Sequence, residues 1–187
     1  MKLIHFSASK TITGVTSVKQ SNNMLDPPRS GIGKPRGFWV SVEGNGDGWS
    51  DWCKDTNFAK PRLRYRHEVK LSPDAKILYL QNAADIDQFT QKYRDENSQI
   101  NKDIADIGPK YGHPSDTMEI DWVAVAKKYQ GIIISPYIYS RRLSGHCTWY
   151  YGWDCASGVI WDANAVDSIA RITRIRRKTG LQSLITS

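Results

Sequence analysis

Residues 149–162 read WYYGWDCASGVIWD, and how this stretch is divided decides the fold. Its second half, GVIWD, is a short apolar run with β-branched residues and reads as a strand. Its first half crowds Trp149, Tyr150, Tyr151 and Trp153 against Asp154, Cys155 and Ser157. Aromatic rings among a few polar groups suit a packed core or the wall of a pocket for a flat ligand. Just upstream, IIISPY (residues 132–137) is a continuous apolar run, the pattern of a central strand covered on both faces. Downstream, SIARITRIRR (168–177) reads as an arginine-studded last strand. The three-residue spacing of Ile169, Ile172 and Ile175 also admits a helix there.

Working back towards the N-terminus, KLIHFS (2–7) is a strand with Leu3 and His5 on one face and Ile4 and Phe6 on the other. Residues 22–37, dense in Pro, Gly and Asn, read as a long surface loop, and GFWVSV (37–42) as the next strand. Asp47 is placed to cap a short helix over GWSDWCKDT (48–56). LRYRHEVKL (63–71) alternates as a half-exposed strand, and AKILYL (75–80) follows it as another. A helix is expected over 85–104, opened by an Asp85-x-x-Gln88 capping box, with Ile86, Phe89 and Tyr93 on one face. A second is expected over 120–131, with Trp122, Val125 and Tyr129 inward and Gly131 as its left-handed stop. Strands and helices mixed without regular βαβ alternation describe an α+β domain.

The 187 residues suit one domain spanning 1–187 with a sizeable core. No apolar run approaches the roughly 20 residues of a membrane span, and the N-terminal residues lack the pattern of a secretory signal. A cytoplasmic protein without membrane contact is therefore expected. Cys53, Cys147 and Cys155 are odd in number and widely spaced, so reduced thiols are expected rather than disulfides. The histidines do not fall at metal-ligand spacings, so no metal is assigned. The net charge of +7 favours encounter with polyanions, nucleic acid or a phosphate-bearing small molecule. Arg62, Arg64 and Arg66, the Arg141–Arg142 pair, and a C-terminal cluster from Arg171 to Lys178 supply the charge. The guanidinium fork is suited to phosphate.

Taken in order, a strand histidine (His5), KPRGFWVS (34–41), a following helix with WSDWC (49–53), RHEVKL (66–71) and GVIWDANAV (158–166) resemble the ADP-ribosyltransferase superfamily. The likeness is to its histidine–tyrosine–glutamate class, which includes diphtheria-type toxins and poly-ADP-ribose polymerases. It implies a split β-sheet core with flanking helices, and NAD as the substrate. By position, His5 would hold the ribose and nicotinamide end of NAD. Gly37 would give backbone bonds to the nicotinamide amide, Trp39 would stack on the ring in place of the family's tyrosine, and Ser41 would be its small residue. Lys34, Arg36, Trp49 and Trp52 would complete the cofactor-binding set. The family's catalytic glutamate directly precedes a strand like GVIWDANAV, and here Ser157 stands in its place. A serine supplies a hydrogen bond but no negative charge for the developing cation. Asp154, three residues earlier, is the nearest carboxylate, and Glu68 a more distant one.

The resemblance implies a mono-ADP-ribosyltransferase of a bacterial or phage toxin or effector type, with DNA, RNA or protein as acceptor and an antitoxin as a further partner. Two alternatives stay open from the residues: a catalytically silent nucleotide- or nucleic-acid-binding module, and an RNA-acting phosphotransferase or nuclease.

Overall fold

The computed structural model describes residues 1–22, 33–58, 64–111 and 116–173. Most of the loop expected over 22–37, Arg62, and the basic cluster from Arg174 to Lys178 lie outside the described residues. The elements are β1 (Lys2–Ser7), β2 (Phe38–Glu43), α1 (Trp49–Thr56), β3 (Tyr65–Leu71), β4 (Ile77–Leu80), α2 (Ala83–Tyr93), α3 (Gln99–Ile107), α4 (Trp122–Ala126), β5 (Gly131–Ile134), β6 (Ser157–Ile160) and β7 (Val166–Arg171). They build a mixed α/β fold around one seven-stranded open sheet in the order β4-β5-β6-β2-β1-β3-β7. Among the described strands only β4 and β5 pair in parallel. A parallel pair needs a long crossover, and α2, α3 and α4 lie within it.

Opposite residues in a ladder share a face, so the register sorts the core. Ile132 and Ile134 of β5, with Leu80 and Val159, face Ile86, Phe89, Trp122, Val125, Trp149 and Tyr150 from the helices and the turns at 145–152. Ile133 and Ile160 face the other way, with Leu3, Val40, Val42 and Val69. All four β5 residues are buried, as expected of a strand covered on both sides. Three tryptophans of the first core place their indole N–H groups on protein acceptors: Trp122 on the Gly33 carbonyl, Trp149 on Thr90 Oγ1 and Trp161 on the Tyr129 carbonyl, at 2.7–2.8 Å. Buried indole N–H groups usually find such a partner.

Between β1 and β2 the ladder is short. It pairs Lys2 with Glu43, Leu3 with Val42 and Ile4 with Ser41, and goes no further. Beyond that point β1 stays with β3 up to Ser7↔Tyr65, while β2 stays with β6 down to Phe38↔Ile160. The two strands thus part at Ile4 and Ser41 and leave a fork in the middle of the sheet.

Several local expectations are corrected by tertiary contacts. The helix expected over 85–104 is two helices. Arg94 bridges to Ile120 and the Asp95 amide bonds the Glu119 carbonyl, drawing the chain into extended pairing between them. Ser98 then caps α3 on the Asn101 amide, and the buried Asn101 side chain bonds Asp95, Met118 and Glu119 backbone groups. The cap of α2 is Asn82, bonding the Asp85 amide, while the Asp85 carboxylate accepts from the Gln81 amide. Gly131 opens β5 instead of stopping a helix, and a Cβ there would lie 2.8 Å from the Val159 carbonyl oxygen. Asp47 does not cap α1. Its carboxylate takes the Tyr137 amide at 2.8 Å, and the first turn of α1 is held from β2 instead. The last segment is a strand, β7, as far as Arg171.

Candidate functional site

The fork between β1 and β2 opens into a cavity of about 260 Å³. Ile4, His5 and Phe6 border it from β1, and Trp39, Val40 and Ser41 from β2. The segment before β6 adds Trp153, Asp154 and Cys155, with Ser157 from the strand itself. Lys34 and Trp49 complete the wall. Register alone puts Trp39, Ser41 and Ser157 on one sheet face with Ile4 and Phe6. His5 points to the opposite face, where its ring stacks on Phe38 at 4.1 Å and tilts against His67 at 6.5 Å.

His5 Nδ1 lies 2.7 Å from the Trp39 carbonyl oxygen. A carbonyl only accepts, so Nδ1 carries the proton and Nε2 keeps its lone pair. Burial is the larger influence on this ring and lowers its pKa, with His67 adding to the effect and the Trp39 bond opposing it. The imidazole is thereby held neutral, with Nε2 an acceptor for a hydroxyl.

Trp39 is half-buried, its ring tilted by 58° against Trp153 at 5.0 Å, with the Lys34 ammonium 5.2 Å from its ring centre. Burial depresses the Lys34 pKa and Asp154 pulls it back up. Asp154 is itself paired with Arg142 at 3.3 Å, each side chain 29% exposed. Ser157 donates its hydroxyl to the Cys155 carbonyl at 2.9 Å and is nearly buried. Burial pushes the Cys155 thiol up to about 12, so it is a packed thiol and no nucleophile at neutral pH.

Ser41 spends its hydroxyl on structure. It donates to Glu43 Oε1 and accepts from the Trp49 amide, both at 2.7 Å. Glu43 also accepts from the Ser50 amide and hydroxyl and pairs with Arg66 at 3.7 Å. Glu43 lay outside the sequence-predicted residues. The signal for it was the S-x-E spacing of Ser41 and Glu43, which puts both on one strand face. Trp153 and Arg142 were likewise unassigned, and only the folded segment brings them to Trp39 and Asp154.

Four sequence-predicted residues lie off the cavity wall. Gly37 has φ +147°, and a Cβ there would sit 2.5 Å from the Ile160 carbonyl oxygen, so its service is close packing of β2 on β6. The Arg36 backbone is clamped by the Gln20 side chain at 2.9 and 2.7 Å. Trp52 stacks on Trp49 at 5.0 Å. Glu68 belongs to β3 and does not border the cavity. Elsewhere, Asp87, His146 and Cys147 bring their polar atoms within 4.8 Å of one another. Arg141 holds that Asp87 by two bonds at 2.7 Å and sets a positive charge where a cation would sit. Among the described residues no helix is long and apolar enough to cross a membrane.

No protein-family model, no curated protein and no solved structure matches the chain, so the arrangement at the fork is what carries its functional reading.

Proposed function

We propose that the protein is a mono-ADP-ribosyltransferase that uses NAD, with the split sheet of that fold and its cavity at the fork. The observation that carries the reading is convergence. His5, Lys34, Trp39, Ser41, Trp49, Asp154 and Ser157 come from separate stretches of the sequence, and all border one cavity where β1 and β2 part. A cavity of about 260 Å³ is at the small end for ligand sites. It suits the nicotinamide–ribose half of the dinucleotide, with the remainder along the open mouth. Trp39 offers the ring for stacking nicotinamide. The Lys34 ammonium offers charge to a phosphate, and His5, on the other face, braces the fork through its bond to the Trp39 carbonyl.

In the reaction the bond between the ribose C1′ and the nicotinamide nitrogen breaks, and nicotinamide leaves with the bonding electrons. Positive charge then develops on the ribose ring. Asp154 is the carboxylate of the cavity wall and supplies the opposing negative charge. The acceptor nucleophile bonds C1′ and gives up its proton to water at the open mouth of the cavity.

Incubation with labelled NAD, lysate nucleic acid and lysate protein tests the proposal. Label should move to a macromolecule with release of one nicotinamide, and Asp154→Asn should cut the rate by roughly a hundredfold or more. Full transfer by that variant removes Asp154 from the mechanism. One observation favours a silent binding module instead: Ser157, at the place of the acid, is tied to a backbone carbonyl, and Asp154 is tied to Arg142. NAD binding without any labelled product or nicotinamide release would favour that second reading.

A further inference from the structure

The segment between β5 and β6 carries a hydrogen-bonded chain that the cavity does not use. His146 Nδ1 lies 2.8 Å from Ser144 Oγ, and His146 Nε2 lies 2.9 Å from Asp87 Oδ1 on α2. None of the three residues borders the cavity at the fork. The side chains of His146 and Asp87 are 39% and 36% exposed, and Ser144 is half-buried, so the chain of bonds meets solvent.

The direction of each bond follows from the carboxylate. Arg141 grips Asp87 by two bonds at 2.7 Å, and chiefly these hold its carboxyl down at about 2. At neutral pH Asp87 is therefore ionised and only accepts. The neutral imidazole keeps its proton on Nε2, facing Asp87, and presents the Nδ1 lone pair to Ser144. The serine hydroxyl donates into that lone pair. A hydroxyl bonded to a base, with the base oriented by a carboxylate, is the arrangement that makes serine a nucleophile.

Ser144 forgoes a structural role to make this bond. It stands at the N-cap of the turn Gly145–Gly152, where a serine ordinarily accepts from a backbone amide, and its side chain makes no such bond. The amides of Gly145 and His146 follow the hydroxyl directly and open that turn, so they have no carbonyl of their own turn to bond. Backbone amides beside a nucleophile are the usual donors to an oxyanion. Cys147, the other nucleophile by type, does not compete. Burial pushes its thiol up to about 11, and the S–H donates to the Arg141 carbonyl at 3.3 Å.

The surroundings select the substrate. Both arginines of the segment are spent, Arg141 on Asp87 and Arg142 on Asp154, and the Asp116 carboxylate packs against Gly145, where a Cβ would overlap it. An anionic substrate gains nothing from such charges, whereas Leu143, next to the serine and 79% exposed, offers apolar contact. We propose that Ser144 and His146, with Asp87 as positioning residue, form a second catalytic site that cleaves neutral carboxylic esters through an acyl-serine. Ser144 Oγ bonds the carbonyl carbon as its proton passes to His146 Nδ1. The bond from that carbon to the alcohol oxygen breaks, and the alcohol leaves with the electron pair and takes the proton. Water then attacks the acyl-serine in the same way, releasing the carboxylic acid and restoring Ser144.

A fluorophosphonate and the ester p-nitrophenyl butyrate test the proposal on the intact chain at neutral pH. Ser144 Oγ should displace fluoride, so that peptide mapping finds the phosphonyl group on Ser144, and heat-unfolded chain should take up none. This readout needs no variant. Ester cleavage, followed as p-nitrophenol release, should be lost in Ser144→Ala. His146→Gln should slow phosphonylation by roughly a hundredfold or more. Asp87→Asn should lower kcat for the ester roughly tenfold or more with KM unchanged, as befits a group that acts through His146. A phosphonyl group absent from Ser144, a phosphonylation rate unchanged in His146→Gln, or ester cleavage unchanged in Ser144→Ala overturns the proposal. Both readouts omit NAD, so their failure leaves the transferase reading of the cavity as it stands.

Discussion

Replacing Ser41 by alanine tests how the cavity is held together. Its hydroxyl joins two elements: on β2 it donates to Glu43 of the same strand, and it accepts from the first amide of α1. The bond to Glu43 is to a charged group, and such bonds are worth about 1.5–3 kcal/mol net. The bond from the Trp49 amide does the work of a helix N-cap, which Gly48 lacks the side chain to do, and caps are worth about 0.5–2 kcal/mol. Glu43 keeps Ser50 and Arg66 as partners, so its charge is not stranded and the lower parts of both ranges apply. Ser41→Ala should therefore cost about 2–4 kcal/mol. At a urea dependence of about 2 kcal/mol per molar, the midpoint falls by roughly 1–2 M. Urea titration by circular dichroism measures the loss, and tryptophan emission follows Trp49 and Trp52 as α1 comes away. Ser50→Ala is the comparison: it removes one hydroxyl from Glu43 while the Ser50 amide remains, and should cost clearly less. A midpoint for Ser41→Ala within scatter of the parent would refute the argument that β2 caps α1.

Gly37→Ala should lower the melting temperature by roughly 6–12 °C, because about 3 kcal/mol of backbone strain and overlap with the Ile160 carbonyl is added at φ +147°. Gly14→Ala, with nothing within 4 Å, should leave it unchanged in the same scan. The Asp87 carboxyl is held near 2, below its ordinary 3.8, chiefly by the Arg141 hydrogen bonds and also by His146. A depressed acid adds stability above its unfolded value and loses it as pH falls through its folded one. Asp87→Asn should therefore be less stable than the parent at neutral pH, with the gap closing between about pH 4 and pH 2. The effect should be modest, since Asp87 is 36% exposed and solvent screens it. Urea midpoints at three pH values check it, and a gap that widens on acidification would contradict the sign.

Much of the strand content was legible because side-chain alternation and apolar runs are local signals. KLIHFS, GFWVSV, LRYRHEVKL, IIISPY and GVIWD appear as β1, β2, β3, β5 and β6, each end within three residues of the reading. The helices were legible less well. Ile86, Phe89 and Tyr93 do face the core, but the periodicity runs on into Arg94–Ser98, and nothing local marks the pairing of Arg94 with Ile120 that ends α2. Caps were misread for a related reason: Asp47 is a good cap by type, yet the Tyr137 amide, 90 positions away, takes its carboxylate.

The opening stretch, WYYGWDCASGVIWD, shows the same division. Its composition determined that large rings and a carboxylate would sit close together, and its β-branched end that a strand would follow. Which ring does what was decided only by the fold. Trp149 and Tyr150 are fully buried under the helices, Tyr151 points to solvent at 54% exposure, and Trp153 packs on Trp39 at the cavity. Sequence likewise placed His5 and Trp39 on two strands and left open whether they meet. Strand parity is a property of each segment alone, whereas a fork exists only where two ladders compete for neighbouring strands. Once β3 draws β1 one way and β6 draws β2 the other, Ile4 and Ser41 become the last shared pair, and the cavity lies beyond them.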